Sequence, residues 1–269
     1  MTSRGRVMTC VVTIVLAVAG VVTVGASPAS AAAPRTLQYV ALGDSYAAGQ
    51  GTGSYLNRCL QSDEGYPALL DSRKHLHLRA NASCTGATTS DVVESQLSAL
   101  NKGTRLVTLT VGGNDLSVSS IAAACTPGPS PACQTAINTA LGLLATPPGV
   151  LAGRLGSVYA AIAAASPRAI ILVTGYPYLF EPPTTNTPNA ATIVAINNAT
   201  TALNATIQQT VTTAQSAGLN IQYIDVTTAF TGHGIGSPVP FINATGVDAF
   251  HPNDAGYAAY AAALSSALP

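Results

Sequence analysis

The chain has 269 residues, 48% of them hydrophobic and 8% charged, with eleven Lys and Arg balanced by eleven Asp and Glu. That composition excludes a solvated disordered chain, and 24 Gly and 17 Pro without a triplet period exclude a collagen-like one. With no basic excess to neutralise a phosphate backbone and 5% aromatic residues to stack on bases, nucleic acid is not an expected partner.

The first segment carries Arg4 and Arg6, then an uncharged run from Val7 to about Val24, then Ala29-Ser30-Ala31 as an A-x-A cleavage site. This predicts a secretory signal peptide over residues 1–33, cleaved near 31–33, and a single domain over 34–269. A retained membrane anchor is the alternative, because the apolar run is long for a signal. Cleavage removes both arginines and Cys10, leaving a mildly acidic, extracellular chain with Cys59, Cys84, Cys125 and Cys133. Four cysteines allow three connectivities. Their spacing favours sequential pairing, since 125 to 133 closes a short loop rich in Pro and Gly while 59 to 84 clips a longer excursion. No Cys-x-x-Cys occurs and no histidine is spaced from cysteine as zinc ligands are, so no metal is expected.

Strand-like and helix-like stretches then alternate. Leu37–Leu42, Leu106–Val111, Ala169–Thr174 and Leu219–Val226 are apolar or β-branched runs bounded by turn residues, and Leu76–Ala80 is a weaker fifth. Between and after them, Thr89–Leu100, Val150–Ala165, Ala190–Ala217 and Asn253–Leu268 have helical patterning, the first and last preceded by cap-forming residues. Strands separated by helices imply crossovers, hence a mainly parallel sheet covered on both faces. Reactive groups in such sheets gather where strands end at their carboxyl edge, and there the loops carry chemistry. Glu181–Asn189, rich in Pro and Thr, is expected as a surface loop.

Directly after the first strand stands Gly43-Asp44-Ser45-Tyr46, where a serine at a strand-to-helix turn can present its hydroxyl as a nucleophile. Alone, Gly-Asp-Ser is ordinary turn chemistry. Near the far end, Asp248-Ala-Phe-His251 places an Asp three residues before a His ahead of a capped helix. There it could accept the imidazole N–H and free the other nitrogen as a base, or merely form an Asx turn. Gly86 and Asn114, in glycine-containing turns, could join the Ser45 N–H as donors to a developing oxyanion.

The order Gly43-Asp44-Ser45, Gly86, Gly113-Asn114-Asp115 and Asp248-x-x-His251 resembles the conserved blocks of the SGNH (GDSL-type) hydrolases. The wider match around Ala41–Tyr46, Thr110–Asp115 and Phe250–Asn253 is most similar to secreted lipases and esterases of actinomycetes. The resemblance implies a flavodoxin-like three-layer α/β/α sandwich with a five-stranded sheet. It also implies Ser45 as nucleophile, His251 as base, Asp248 as its orienting acid, an oxyanion hole from Ser45, Gly86 and Asn114, and no metal or organic cofactor. In some members a backbone carbonyl holds the histidine instead of the acid. Two departures stand out: the third disulfide of close secreted relatives has no cysteine partner here, and the chain has no Trp, leaving Tyr46 as a candidate aromatic contact or a packing residue.

The function expected on these grounds is a secreted carboxylic ester hydrolase acting on fatty-acid esters through an acyl-enzyme. Expected partners are a lipid or other small ester and a transient lipid interface, and the chain is expected to be a monomer. A carbohydrate esterase with the same machinery, or a non-catalytic binding module, are the alternatives. His75 and His77 read as surface groups, and His233 has no evident proton partner.

Overall fold

Short apolar runs become strands here, and the central ones are covered on both faces: Tyr39–Gly43, Leu106–Thr110 and Ile171–Thr174 are buried throughout. In the computed structural model, which describes residues 36–268 except 74, 126–127, 146–148 and 185, and also residues 1, 2, 5, 8 and 9, five strands form one sheet. They are β1 (Leu37–Gly43), β2 (Leu76–Asn81), β3 (Leu106–Thr110), β4 (Ile170–Thr174) and β5 (Ile221–Ile224). The order is β2-β1-β3-β4-β5 with every neighbour parallel. The expected signal segment falls, but for isolated positions, outside the described residues; the compact unit is Pro34–Pro269.

The helices are α1 (Ser45–Ala48), α2 (Tyr66–Asp71), α3 (Thr89–Asp91), α4 (Val118–Cys125), α5 (Pro131–Ala145), α6 (Val150–Ala165), α7 (Ala190–Ser216) and α8 (Asp254–Ser265). Among the described residues, no helix is long and apolar enough to cross a membrane. Right-handed crossovers send the β1-to-β2 connection to one side of the sheet and the later connections to the other. Accordingly α2 packs with α8, and α6 with α7, making the three-layer α/β/α sandwich the sequence implied. The direction of winding reverses between β1 and β3, and the crevice outside their carboxyl ends lies between the Ser45 and Asn114 turns.

Buried side chains of β3 and β4 include Thr108, Thr110 and Thr174, whose hydroxyls would be costly in an apolar core unless paired. Tyrosines supply the partners: Tyr39 meets Thr108 at 2.7 Å and Tyr66 meets Thr110 at 2.9 Å, while Thr110 and Thr174 pair at 2.6 Å. In a chain without Trp, fully buried Tyr39, Tyr66, Tyr159, Tyr257 and Tyr260 provide the large core volumes. Disulfides join Cys59 to Cys84 and Cys125 to Cys133, the sequential pairing.

One expectation about helices needs correction. Thr89–Leu100 is not one regular helix: α3 passes into a π turn (Val92–Gln96) and a 3-10 turn (Leu97–Ala99). Within this wider winding Gln96 is buried, and its amide accepts from Gly43 N at 2.7 Å and donates to Gly43 O at 2.9 Å. Regular helical geometry yields there to two hydrogen bonds that fix the end of β1. Helix α1, four residues long, is the helical side of the expected strand-to-helix turn, whereas α2, α4 and α5 went unpredicted; α2, at six residues, is too short for periodicity to show. For α5 the start was legible: Ser130 accepts from Cys133 N at 3.1 Å and Pro131 stands at the first helical position.

Gln96→Leu keeps the bulk but strips both bonds from Gly43, so it should lower unfolding free energy by about 1–3 kcal/mol. Urea midpoints with an unchanged slope would show this; an unaltered midpoint would contradict the role.

Candidate active site

β1 ends where Gly43 adopts φ +131°, a conformation that favours glycine, and where a Cβ would run into the Thr110 carbonyl oxygen of the adjacent strand. The chain then turns at once into α1. Asp44 caps it, its Oδ1 accepting from Tyr46 N at 3.0 Å, and Ser45 is the first helical residue. Because the first N–H groups of a helix have no intrahelical partner, Ser45 N–H is free to face an anion.

The second half of the site comes from the loop before α8. Phe250 holds the left-handed backbone, φ +67°, between a bond from its N–H to Asn243 O at 2.8 Å and one from Tyr46 Oη to its own carbonyl at 2.6 Å. This conformation turns His251 toward the β1 end, and its Nε2 lies 2.8 Å from Ser45 Oγ across 206 residues of sequence. Its Nδ1 lies 3.1 Å from Ala249 O. A carbonyl can only accept, so the proton sits on Nδ1 and Nε2 is left as acceptor for the serine hydroxyl. Burial pushes the imidazole pKa below its ordinary 6.5, with the Ala249 carbonyl and the Asp248 charge pulling back only partly.

Asp248 is not where the sequence reading put it. Its Oδ1 accepts from Tyr55 Oη at 2.5 Å, and Tyr55 Oη in turn accepts from Gly51 N at 3.0 Å. Through Oδ1 the carboxylate ties the loop after α1 to the histidine loop, and Ala249 O is the acceptor at Nδ1. A three-residue spacing fits an Asx-type turn as well as an Asp–His contact; the bond seen on Oδ1 is neither, but one from Tyr55.

Gly86, with φ +76°, and Asn114, opening a 3-10 turn after β3, line the same cavity as Ser45 and His251, of about 500 Å³. Among the described residues neither Ser45 N–H nor Gly86 N–H has a protein acceptor. Asn114 Nδ2 donates to Ala87 O at 3.0 Å, which fixes the amide and leaves its second hydrogen. Asp115 ties the two turns together, accepting from Thr89 N at 2.9 Å and from Thr89 Oγ1 at 2.6 Å.

Residues the sequence did not single out hold these pieces in register. Tyr176, after β4, donates to Asp44 Oδ2 at 2.5 Å and accepts from Gly113 N at 3.0 Å. One hydroxyl thus links the serine turn to the asparagine turn. Asn204 of α7 in turn grips Tyr176 through both its backbone N and O, each at 2.8 Å. Tyr46 packs edge-on against Tyr176 and 5.4 Å from the His251 ring. Nothing flags Tyr176 in the sequence except its place just after a strand, in Gly175-Tyr176-Pro177. Burial raises the Asp44 carboxyl from 3.8 to about 7, against the lowering pull of Tyr176 and the Tyr46 N–H. Among the described residues no cluster of His, Cys, Asp and Glu could hold a metal ion.

Tyr176→Phe removes one donor and one acceptor at once and should cost about 2–3 kcal/mol in stability. Asp44 gives a pH test. A folded-state pKa above the unfolded value makes its contribution complete below about pH 4 and lost as pH rises through about 7. At most this is about 4 kcal/mol, at 1.36 kcal/mol per unit. Asp44→Asn should flatten the fall in Tm between pH 5 and pH 8; an unchanged slope would contradict the assignment.

Residues 41–259 match the model of the GDSL-like lipase/acylhydrolase family. The chain is similar to Lipase 1 of Streptomyces coelicolor, 34% identical over 94% of each chain. In structure it is similar to an extracellular lipase from Streptomyces rimosus, with a TM-score of 0.77, 33% identity, and 87% of this chain and 100% of that one covered. It is also similar to a phospholipase A1 from Streptomyces albidoflavus, with a TM-score of 0.78, 35% identity, and 86% and 99% covered.

Proposed function

The chain belongs to the GDSL-like lipase/acylhydrolase family and is a carboxylic ester hydrolase, and from that premise we propose that it is a secreted monomer that cleaves fatty-acid esters through an acyl-enzyme on Ser45. The observation that carries the proposal is the 2.8 Å separation of Ser45 Oγ and His251 Nε2, with Nε2 as the acceptor. His251 takes the hydroxyl proton as Ser45 Oγ attacks the ester carbonyl, and the carbonyl oxygen becomes negative against Ser45 N–H, Gly86 N–H and Asn114 Nδ2. The proton on Nε2 passes to the departing alkoxide as the tetrahedral intermediate collapses, leaving the acyl group on Ser45. Water, deprotonated by the same nitrogen, then attacks the acyl-enzyme, and Ser45 recovers its proton.

In this scheme the Ala249 carbonyl orients the imidazole. Asp248 acts as a positioning residue through Tyr55 and as a charge at longer range, which favours the imidazolium that forms during attack. Val118, Leu179, Leu203 and Phe250 in the wall of the site favour an apolar acyl group over the acetyl of a decorated polysaccharide. The same lining supports contact with a lipid surface, since Val247 at the rim is 92% exposed.

Ser45→Ala should fold normally and lose about 10⁴-fold or more in kcat on p-nitrophenyl esters; turnover retained in a pure preparation would overturn the assignment. Asp248→Asn should cost far less than His251→Ala, whereas equal losses would restore the acid as the essential orienter. Since the base must be neutral, kcat/KM should rise with pH along a limb centred below 6.5. A limb centred above 6.5 would contradict the buried imidazole.

A further inference from the structure

The balanced totals of acid and base conceal a segregation of charge along the strands. From Ala169 to the end the chain holds no Lys or Arg. Apart from Arg58 and Arg154, the described cations gather around the starts of the strands: Arg73 precedes β2, Lys102 and Arg105 precede β3, Arg168 precedes β4, and Arg79 stands in β2. Because every strand is parallel, these turns share the amino edge of the sheet, and the catalytic mouth lies at the opposite edge. Carboxylates collect on the mouth side. Asp44, Asp115 and Asp225 follow β1, β3 and β5, Glu181 stands in the loop after β4, and Asp248 stands in the histidine loop. We propose that the amino edge is a docking surface for a linear, phosphate-bearing polymer, which holds the molecule with its catalytic mouth turned away.

The turns are stitched to one another. Leu37 N donates to His75 O at 2.8 Å, Arg105 N to Gln38 O at 2.8 Å, and Ile170 N to Arg105 O at 3.0 Å. Neighbouring strands stand about 4.8 Å apart, so from β2 across β1 and β3 to β4 the row is about 14 Å long. Arg79, exposed on the edge strand, joins it by donating from Nη2 to Ala99 O at 2.9 Å, beside the turn that carries Lys102.

Part of this charge serves the fold. The helices run back against the strands, so their carbonyl ends face this edge, where a cation is favoured. Arg79 and Arg105 each use one nitrogen in this way, Arg105 Nη1 meeting Lys102 O at 2.9 Å and Thr104 O at 3.0 Å. A guanidinium has five N–H donors, so most stay available. Arg73, Lys102 and Arg168 are exposed and, among the described residues, their side chains have no hydrogen bond and no ion pair; the ion pair found there is Arg154 with Asp115. The carboxylate nearest these turns in sequence, Asp71, is half-buried and accepts from Leu78 N. Uncompensated cations therefore remain at this edge.

The row selects its partner by shape as well as charge. A single phosphate or headgroup covers one turn, whereas a partner that repeats its charges along a line meets them all. Arginine forks take a phosphate through two parallel bonds. The large apolar residues that the described surface exposes, such as Leu56, Val150 and Val247, belong to other segments, so nothing in these turns would enter a bilayer. Neither Tyr nor Phe stands in turns 72–75, 101–105 or 166–169 to stack on bases. The chemistry that fits is a chain of phosphates read by charge alone.

Long-chain inorganic polyphosphate is the probe, with binding read from the anisotropy of a labelled polymer. With three to five phosphate contacts the dissociation constant should rise about 20- to 100-fold between 50 and 200 mM NaCl. At 50 mM, Lys102→Glu and Arg168→Glu should each weaken binding about three- to tenfold with Tm unchanged. Arg58→Glu makes the same change of net charge beside the Cys59–Cys84 bridge on the mouth side, and should weaken binding by less than about twofold. Saturating polyphosphate should leave kcat/KM on p-nitrophenyl butyrate unaltered. Absence of binding at 50 mM NaCl, equal losses in the three variants, or competitive inhibition of ester hydrolysis by the polymer would each overturn the docking surface. So would tighter binding to phosphatidylglycerol vesicles, or to single-stranded DNA of matched charge. None of these outcomes touches the hydrolase reading, which fails separately if the unsubstituted protein turns over no ester.

Discussion

A hydroxyl from the beginning of the domain and an imidazole from its end share one proton, and the rest of the site exists to keep them in reach. The separation of 206 positions costs less entropy to close than its length implies, because closure entropy grows only with the logarithm of loop length. What the fold must supply is stiffness, and it does so by interlocking the two loops several times over. Tyr257 Oη donates to Gln50 O at 2.6 Å, Asn243 Nδ2 to Gly51 O at 2.8 Å, and Tyr46 Oη to Phe250 O at 2.6 Å. Gly51 has φ +116° and packs so closely on Pro252 that a side chain there would strike its carbonyl oxygen. Serine and histidine are therefore parts of one knot in which polar tips of buried tyrosines make the ties.

The electrostatics follow from the same burial. Desolvation lowers the imidazole and raises the Asp44 carboxyl, so both shifts disfavour charge inside the pocket. A base kept neutral is ready to accept a proton. A carboxyl that resists ionisation still caps α1 and still accepts from Tyr176, and it does not compete for the imidazole. Asp248, the carboxylate nearer the histidine in sequence, stays outside this inner set, and its hydrogen bond to Tyr55 faces the loop after α1.

Much of this is legible in the sequence. Three strands announced themselves by apolar runs ending at glycine, β5 by a β-branched run and β2 only weakly, and the parallel sheet followed from the helices between them. Ser45, Gly86, Asn114 and His251 were picked out because each falls in a turn where chemistry is usual, and the structure brings them to one cavity. For Asp248 the spacing left the acid and a backbone carbonyl both open, because spacing along a loop does not say which way a carboxylate points, and its partner Tyr55 lies 193 residues away. Tyr176, Gln96 and Asn204 were invisible for a related reason: each acts through long-range contacts to backbone or to Asp44, and no local pattern marks such a partner. The π turn at Val92–Gln96 is tertiary demand overriding local helix propensity.

The proposed chemistry requires Ser45 to be the activated nucleophile, and a reaction that consumes it tests this most directly. An alkyl p-nitrophenyl phosphonate should inactivate the protein with one equivalent bound, and peptide mapping by mass spectrometry should place the adduct on Ser45. In His251→Ala, which lacks the proton acceptor, that labelling should be slowed by orders of magnitude. An adduct on another residue, or full ester turnover after Ser45 is stoichiometrically modified, would contradict it.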